Sequence, residues 1–267
     1  MDNQQRRSKK NMRFGLCADI RNVSEVQEVG FDFIDGKLNQ IALWSEEEFN
    51  TVLALMDKAS IKMERCALLF PKNMTVIGGK YNETEMNSYL ENAFSRMDAL
   101  GCDLVVFGSG KSRFVLDGMR WQDAYLQLVD VTRIVGQMAA EHGIRIAIEP
   151  LNRAETNLIN SLAEGGALQA DVNLSNVGLL ADAYHMWQEG EDMNRILTCG
   201  PFMHTHIALK GSRFYPTEKT DEVREFFRLL KESGYDGTLS IEGKSDDWKA
   251  DSIRALAVMR ELAQEEK

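Results

Sequence analysis

I-R-I-A-I-E-P-L-N-R-A-E-T-N, residues Ile144 to Asn157, is the stretch on which the fold turns. A short run rich in β-branched residues ends in Glu149, and Pro150 then removes the N–H that a continuing strand would need. A second carboxylate, Glu155, follows six residues on. The run has the length of a strand rather than of a helix. In parallel α/β proteins the chemistry collects just beyond the carboxyl ends of the strands, so Glu149 stands where a metal ligand or a base belongs.

Working outward, similar runs recur at Phe14–Ala18, Phe31–Asp35, Lys62–Leu69, Leu104–Phe107, Val177–Asp182, Met203–Ala208 and Thr238–Glu242. Amphipathic stretches separate them. Met86, Tyr89, Leu90, Ala93, Phe94, Met97 and Leu100 recur at three- and four-residue spacing, and Tyr125 to Met138 repeats the pattern. Ser24-x-x-Gln27, Ser45-x-x-Glu48 and Ser161-x-x-Glu164 read as capping boxes. Gly30, Gly101, Gly143 and Gly234 follow helices, as left-handed helix ends require. Strands alternating with helices pair in parallel, and eight such units in 267 residues predict α/β architecture. A single (β/α)8 TIM barrel over residues 12–267 is the economical answer, with an open doubly wound sheet as the main rival that periodicity alone leaves open. Residues 1–11, with four basic side chains and no apolar run, read as a disordered basic N-terminus.

Composition narrows the function classes. Net charge is −10, which disfavours a phosphate backbone as partner, so no nucleic acid is expected. No run approaches the roughly 18 apolar residues of a membrane helix, so no membrane association is expected. The four cysteines form no C-x-x-C pair, and reduced thiols in a cytoplasmic protein are the expectation.

The strand ends then carry a pattern. Glu149, Asp182, His206 and Glu242 close successive runs, a mainly oxygen-donor set that suits Mn²⁺, Mg²⁺ or Co²⁺ and also accommodates Zn²⁺. His185 lies three residues beyond Asp182, while Glu155 and Arg213 could pair and grip hydroxyls. His204 shares a strand face with His206 and reads as a supporting residue. Trp121, Trp187 and Trp248 follow strand ends and could wall a pocket, and Phe70-Pro71 could cover it. G-S-G-K at Gly108–Lys111, with Arg113, offers a possible contact for a phosphate or acidic group.

From Arg13 onward the chain resembles the xylose isomerase-like barrel superfamily of sugar (phosphate) isomerases and epimerases, particularly the D-tagatose and D-psicose 3-epimerase type. The resemblance rests on E-P-L-N-R-A-E-T-N, L-A-D-A-Y-H-M (180–186), H-T-H-I-A (204–208) with Arg213, and S-I-E-G (240–243); F-G-S-G-K-S-R (107–113) is of the same kind. It implies one divalent metal, Mn²⁺ first, on Glu149, Asp182, His206 and Glu242. It further implies an isomerase with Glu149 and Glu242 as the catalytic acid/base pair, and Glu155, His185 and Arg213 as substrate-binding residues. The chain departs from the pattern at Ala154, where an aromatic residue is common, and at Arg213, one residue further from His206. The implied substrate is a ketose or ketose phosphate, turned over through an enediolate, and a homodimer or homotetramer is the implied assembly. A related lyase (an inosose-type dehydratase or a C-glycoside deglycosidase subunit) would start from the same residues. A sugar-binding protein without activity is a third reading. The DNA-repair endonuclease branch would need further histidines on the third and fourth strands, where this chain has Leu-Leu-Phe and Gly-Ser-Gly.

Overall fold

The computed structural model describes residues 12–265, so the expectation for residues 1–11 lies outside the described part. Eight strands, β1 (Arg13–Cys17), β2 (Phe33–Lys37), β3 (Met63–Ala67), β4 (Leu104–Phe107), β5 (Arg145–Ile148), β6 (Val177–Asp182), β7 (Phe202–Ile207) and β8 (Thr238–Ile241), follow the sequence pattern closely. All pair in parallel, each with its neighbour in the chain, and β8 closes on β1. The protein is one (β/α)8 barrel with its helices outside.

Strands buried on both faces read as continuous apolar runs, and Leu104–Phe107 is buried throughout. Alternate residues face inward and outward. The outward set packs against the helices, whose apolar stripes carry Leu90, Phe94 and Met97 on Glu83–Leu100 and Leu128 and Val135 on Trp121–Glu141. The inward set makes a separate small core of Leu104, Val106, Ala147 and Leu180. Phe33 is fully buried, and a Cβ on Gly15 would sit 2.2 Å from its ring, so Gly15 makes room for it. The barrel interior is therefore packed, and the side chains above that packing form the site.

Helix ends obey the expected signals with one exception. Ser45 and Glu48 form a reciprocal capping box at the start of Glu46–Lys58. Ser161 accepts from the Glu164 N–H, while the Glu164 carboxylate reaches back one residue further, to the Asn160 N–H. The Ser24–Gln27 box does not form. A 3₁₀ turn at Ile20–Asn22, capped by Asp19, leads directly into Val23–Val29, so Ser24 is already inside the helix. Gln27 is used elsewhere, accepting from the Ser60 N–H and hydroxyl. Gly30, Gly101, Gly143 and Gly234 all have positive φ, as their places after helices require. Among the described residues no helix is long and apolar enough to cross a membrane.

Candidate metal centre and active site

A two-residue period delivers the site. Glu149 lies two residues beyond the packed Ala147, Asp182 two beyond Leu180, His206 two beyond His204, and Glu242 two beyond Ser240. Glu149 and Glu242 stand one residue past their strands yet stay on the ladder: their N–H groups donate to Phe107 O (3.2 Å) and Ile207 O (3.1 Å). The four expected ligands converge. His206 Nδ1 is 3.1 Å from Glu149 Oε1 and 4.0 Å from both Asp182 Oδ2 and Glu242 Oε2. Glu149 and Asp182 are sealed in, while the Glu242 side chain keeps 17% of its surface exposed against 6% for Glu149.

So many carboxylates in a dry place strain their own ionisation. Burial, and then the charge of Glu149, pushes the Asp182 carboxyl up to about 8, and burial likewise raises Glu149. Burial works against the His206 imidazolium, but Cys17, Asp35 and Glu149 outweigh it, and its pKa stands well above the usual histidine range. Nδ1–H then donates to Glu149 Oε1. A divalent cation would take that proton's place and offset the surplus negative charge, and three oxygen donors with one imidazole fit a hard or borderline ion.

His185 enters the same cluster, since ligand atoms of Glu149, Asp182, His185 and Glu242 lie within 4.8 Å of one another, while His206 groups by that measure with Cys17 and Asp35. The two imidazoles are nonetheless engaged differently. His185 Nδ1 accepts from the Asn152 main-chain N–H (3.1 Å) and lies 2.8 Å from the Asn152 amide nitrogen. The proton therefore sits on Nε2, which is buried, has no partner and lies 3.8 Å from Asp182 Oδ2. His185 is a hydrogen-bond donor aimed into the site. His206 belongs to both clusters through its two nitrogens, and Nδ1 is the one that faces the carboxylates.

Arg213 donates to Glu242 Oε2 (2.5 Å) and Glu155 Oε1 (2.7 Å), and its guanidinium stacks 4.7 Å from the Tyr184 ring. Burial would lower its pKa, but the charges of Glu242, Asp182 and Glu155 raise it further. Arg213 stands in a tight turn, its N–H donating to Leu209 O (2.9 Å), and itself adopts φ 57°. The two glutamates and the arginine expected at the substrate therefore touch.

Other expectations are corrected. Arg113 faces no phosphate: it is 1% exposed and donates to the main-chain carbonyls of Gly108 (2.6 Å), Glu149 (2.6 Å) and Leu158 (2.7 Å). Burial pulls its pKa down to about 10, so it remains charged at neutral pH. The glycine of this loop serves close approach instead, since a Cβ on Gly108 would lie 2.1 Å from Glu149 Oε2. Phe70 is core, edge-on to Phe107 at 5.4 Å, and Trp187 packs on Phe226. Trp121 stacks on Tyr125 at the surface. Sequence reading missed Asp35 and Asn152. For Asp35 there was a signal, an acid two residues beyond the inward Phe33.

A family model described as xylose isomerase-like TIM barrel matches residues 23–262. The chain belongs to the xylose isomerase-like TIM barrel family. A 3-dehydro-D-guloside 4-epimerase from Escherichia coli is 31% identical over 117 residues, 43% of this chain and 44% of that protein, so the match spans under half of that relative's length. A D-psicose 3-epimerase from Agrobacterium fabrum is 25% identical over 226 residues, 82% of this chain and 77% of that protein. Among solved structures, a D-allulose 3-epimerase from Methylomonas in complex with D-allulose superposes with TM-score 0.83 at 21% identity, covering 94% of this chain and 97% of that one. The side chains described above stand at the carboxyl ends of the strands.

Proposed function

We propose that this chain is a divalent-metal-dependent carbohydrate epimerase, an isomerase that inverts the carbon beside a ketone in a ketose or keto-sugar. One observation carries the reading: Glu149 and Glu242, from strand ends on either side of His206, face a common point with Asp182, each within 4.0 Å of one imidazole nitrogen. A divalent ion held by Glu149, Asp182, His206 and Glu242, Mn²⁺ in our reading, would supply Lewis acidity that makes a proton beside a ketone removable.

The chain's own groups do the rest. Glu149, desolvated and so a stronger base than an ordinary carboxylate, takes the proton from one face of the carbon. Glu242 returns one from the other face. The C–H bond broken on one side is replaced by a C–H bond on the other, and no oxidant or leaving group is needed. His185 Nε2–H donates to a substrate oxygen, and Arg213 and Glu155 hold hydroxyls while Arg213 fixes Glu242. The relatives support this chemistry, since a 3-epimerase of D-psicose and a 4-epimerase of a 3-dehydro-guloside both act at a carbon next to the carbonyl.

The test is NMR of the Mg²⁺-loaded protein in D₂O with a panel of free ketoses, ketose phosphates and 3-keto-glycosides. The expected result is deuterium at the carbon beside the carbonyl together with the epimer, abolished by EDTA and reduced about 10²- to 10⁴-fold by Glu149→Gln or Glu242→Gln. A dehydrated or cleaved product would make the protein a lyase, and metal binding without any exchange would end the catalytic reading.

A further inference from the structure

Behind His206, on the side away from the carboxylates, lies a second polar cluster that the reaction above does not use. Asp35 on β2 is 0% exposed, and one of its oxygens has no hydrogen-bond partner. The other, Oδ2, lies 3.2 Å from His204 Nε2 and 3.4 Å from His206 Nε2. His204 is itself pinned through Nδ1, 2.7 Å from the Thr238 hydroxyl. Cys17 Sγ completes the surround, 4.0 Å from His206 Nε2. A buried carboxylate is tolerated only with donors around it, and within this cluster the two imidazoles are the donors that reach it. Each ring must then keep its proton on Nε2. For His204 this agrees with Nδ1 accepting from Thr238. For His206 it leaves Nδ1 as the nitrogen free to exchange its proton for a metal.

We propose that Asp35, held by His204, is a positioning residue for the metal: it locks the Nε2–H tautomer and the ring orientation of His206, so that Nδ1 is presented to the ion as a basic, fixed donor. The inference rests on the metal reading above. It assigns β2 a part in the site and gives the buried row Thr238–His204–Asp35–His206 a purpose beyond packing. A carboxylate bonded to the far nitrogen of a ligating histidine raises that ligand's basicity, and loss of such a partner weakens metal binding about 10- to 100-fold.

The experiment titrates Mn²⁺ into metal-free wild type, Asp35→Asn and Cys17→Ala by calorimetry, with melting temperatures recorded in parallel. Histidine-ring nitrogen NMR of Mg²⁺-loaded wild type is run alongside. Expected are Mn²⁺ binding about 10- to 100-fold weaker in Asp35→Asn and unchanged in Cys17→Ala, with His204 and His206 both protonated on Nε2. Three outcomes would overturn the proposal: full-strength Mn²⁺ binding by Asp35→Asn despite a lowered melting temperature, which marks a merely structural residue; weakening confined to Cys17→Ala, which gives the N–H to the thiol; or a His206 proton on Nδ1 in the loaded enzyme. Should Asp35→Asn not fold, the wild-type ring spectrum alone decides. Wild type that binds no Mn²⁺ would instead remove the metal reading and this inference with it.

Discussion

Glu149 is held from three directions: the ladder bond to Phe107, the Arg113 guanidinium on its own carbonyl, and Gly108 against its carboxylate. Gly108→Ala tests the last of these. Its new methyl would overlap the end of the Glu149 side chain and meet Leu151 at an ordinary contact distance of 3.5 Å, so the fold should survive with little change in melting temperature. The carboxylate must move, however, and a displacement of about 1 Å is enough to lower kcat on the order of 100-fold. Steady-state kinetics at saturating Mn²⁺ would check it, and unchanged kcat would mean that the position of Glu149 is not critical. At this scale the sequence was informative where chemistry coincides with a strand end. Glu149, Asp182, His206 and Glu242 could be picked out because an ionisable residue closing an apolar run is conspicuous. Asp35 closes such a run too, but its meaning depends on where two imidazoles from another strand point. Asn152 was hidden more deeply, because its decisive group is a main-chain N–H that no side-chain pattern reports.

Between elements, Arg113 joins the end of β4, the end of β5 and the loop carrying Leu158 through three carbonyls in a dry site. Removing one partner of a buried hydrogen bond costs about 1–3 kcal/mol, and these bonds share one donor group. Arg113→Met should therefore destabilise the protein on the order of 3 kcal/mol or more, read from the urea midpoint, with activity lost as Glu149 loosens. A midpoint within experimental scatter of wild type would show the clamp to be dispensable. Elements themselves were largely legible: short continuous apolar runs, three- and four-residue apolar spacing and glycine helix ends are local signals. Ser24-x-x-Gln27 misled because the same four letters fit a cap and the first turn of a helix already begun. Only the preceding Asp19 turn separates the two.

For the molecule as a whole, the buried carboxylates make stability depend on pH and metal together. Asp182 titrates near 3.8 when unfolded and at about 8 in the metal-free fold, so the native state binds the extra proton between those values. Its contribution to stability is lost as pH rises through about 8, and the raised His206 acts in the same sense above its ordinary 6.5. His204, lowered to about 4, acts oppositely only below 6.5. Between roughly pH 6.5 and 8 the EDTA-treated protein should thus melt at falling temperatures as pH rises. Mn²⁺ should raise the melting temperature by an increment that grows with pH, because binding displaces those protons. Calorimetric scans at the two pH values, with and without Mn²⁺, would show it, and a pH-independent increment would contradict the site as drawn. The unequal exposure of the two glutamates has a further consequence. After one inversion the resting enzyme is not the species that began it: the proton has changed sides. Glu242, nearer to water, can exchange with solvent quickly, whereas Glu149 is sealed and must wait. The free enzyme therefore has two interconverting forms, each competent for one epimer. Hydrogen delivered from Glu149 keeps a memory of the previous sugar, while hydrogen delivered from Glu242 comes from water.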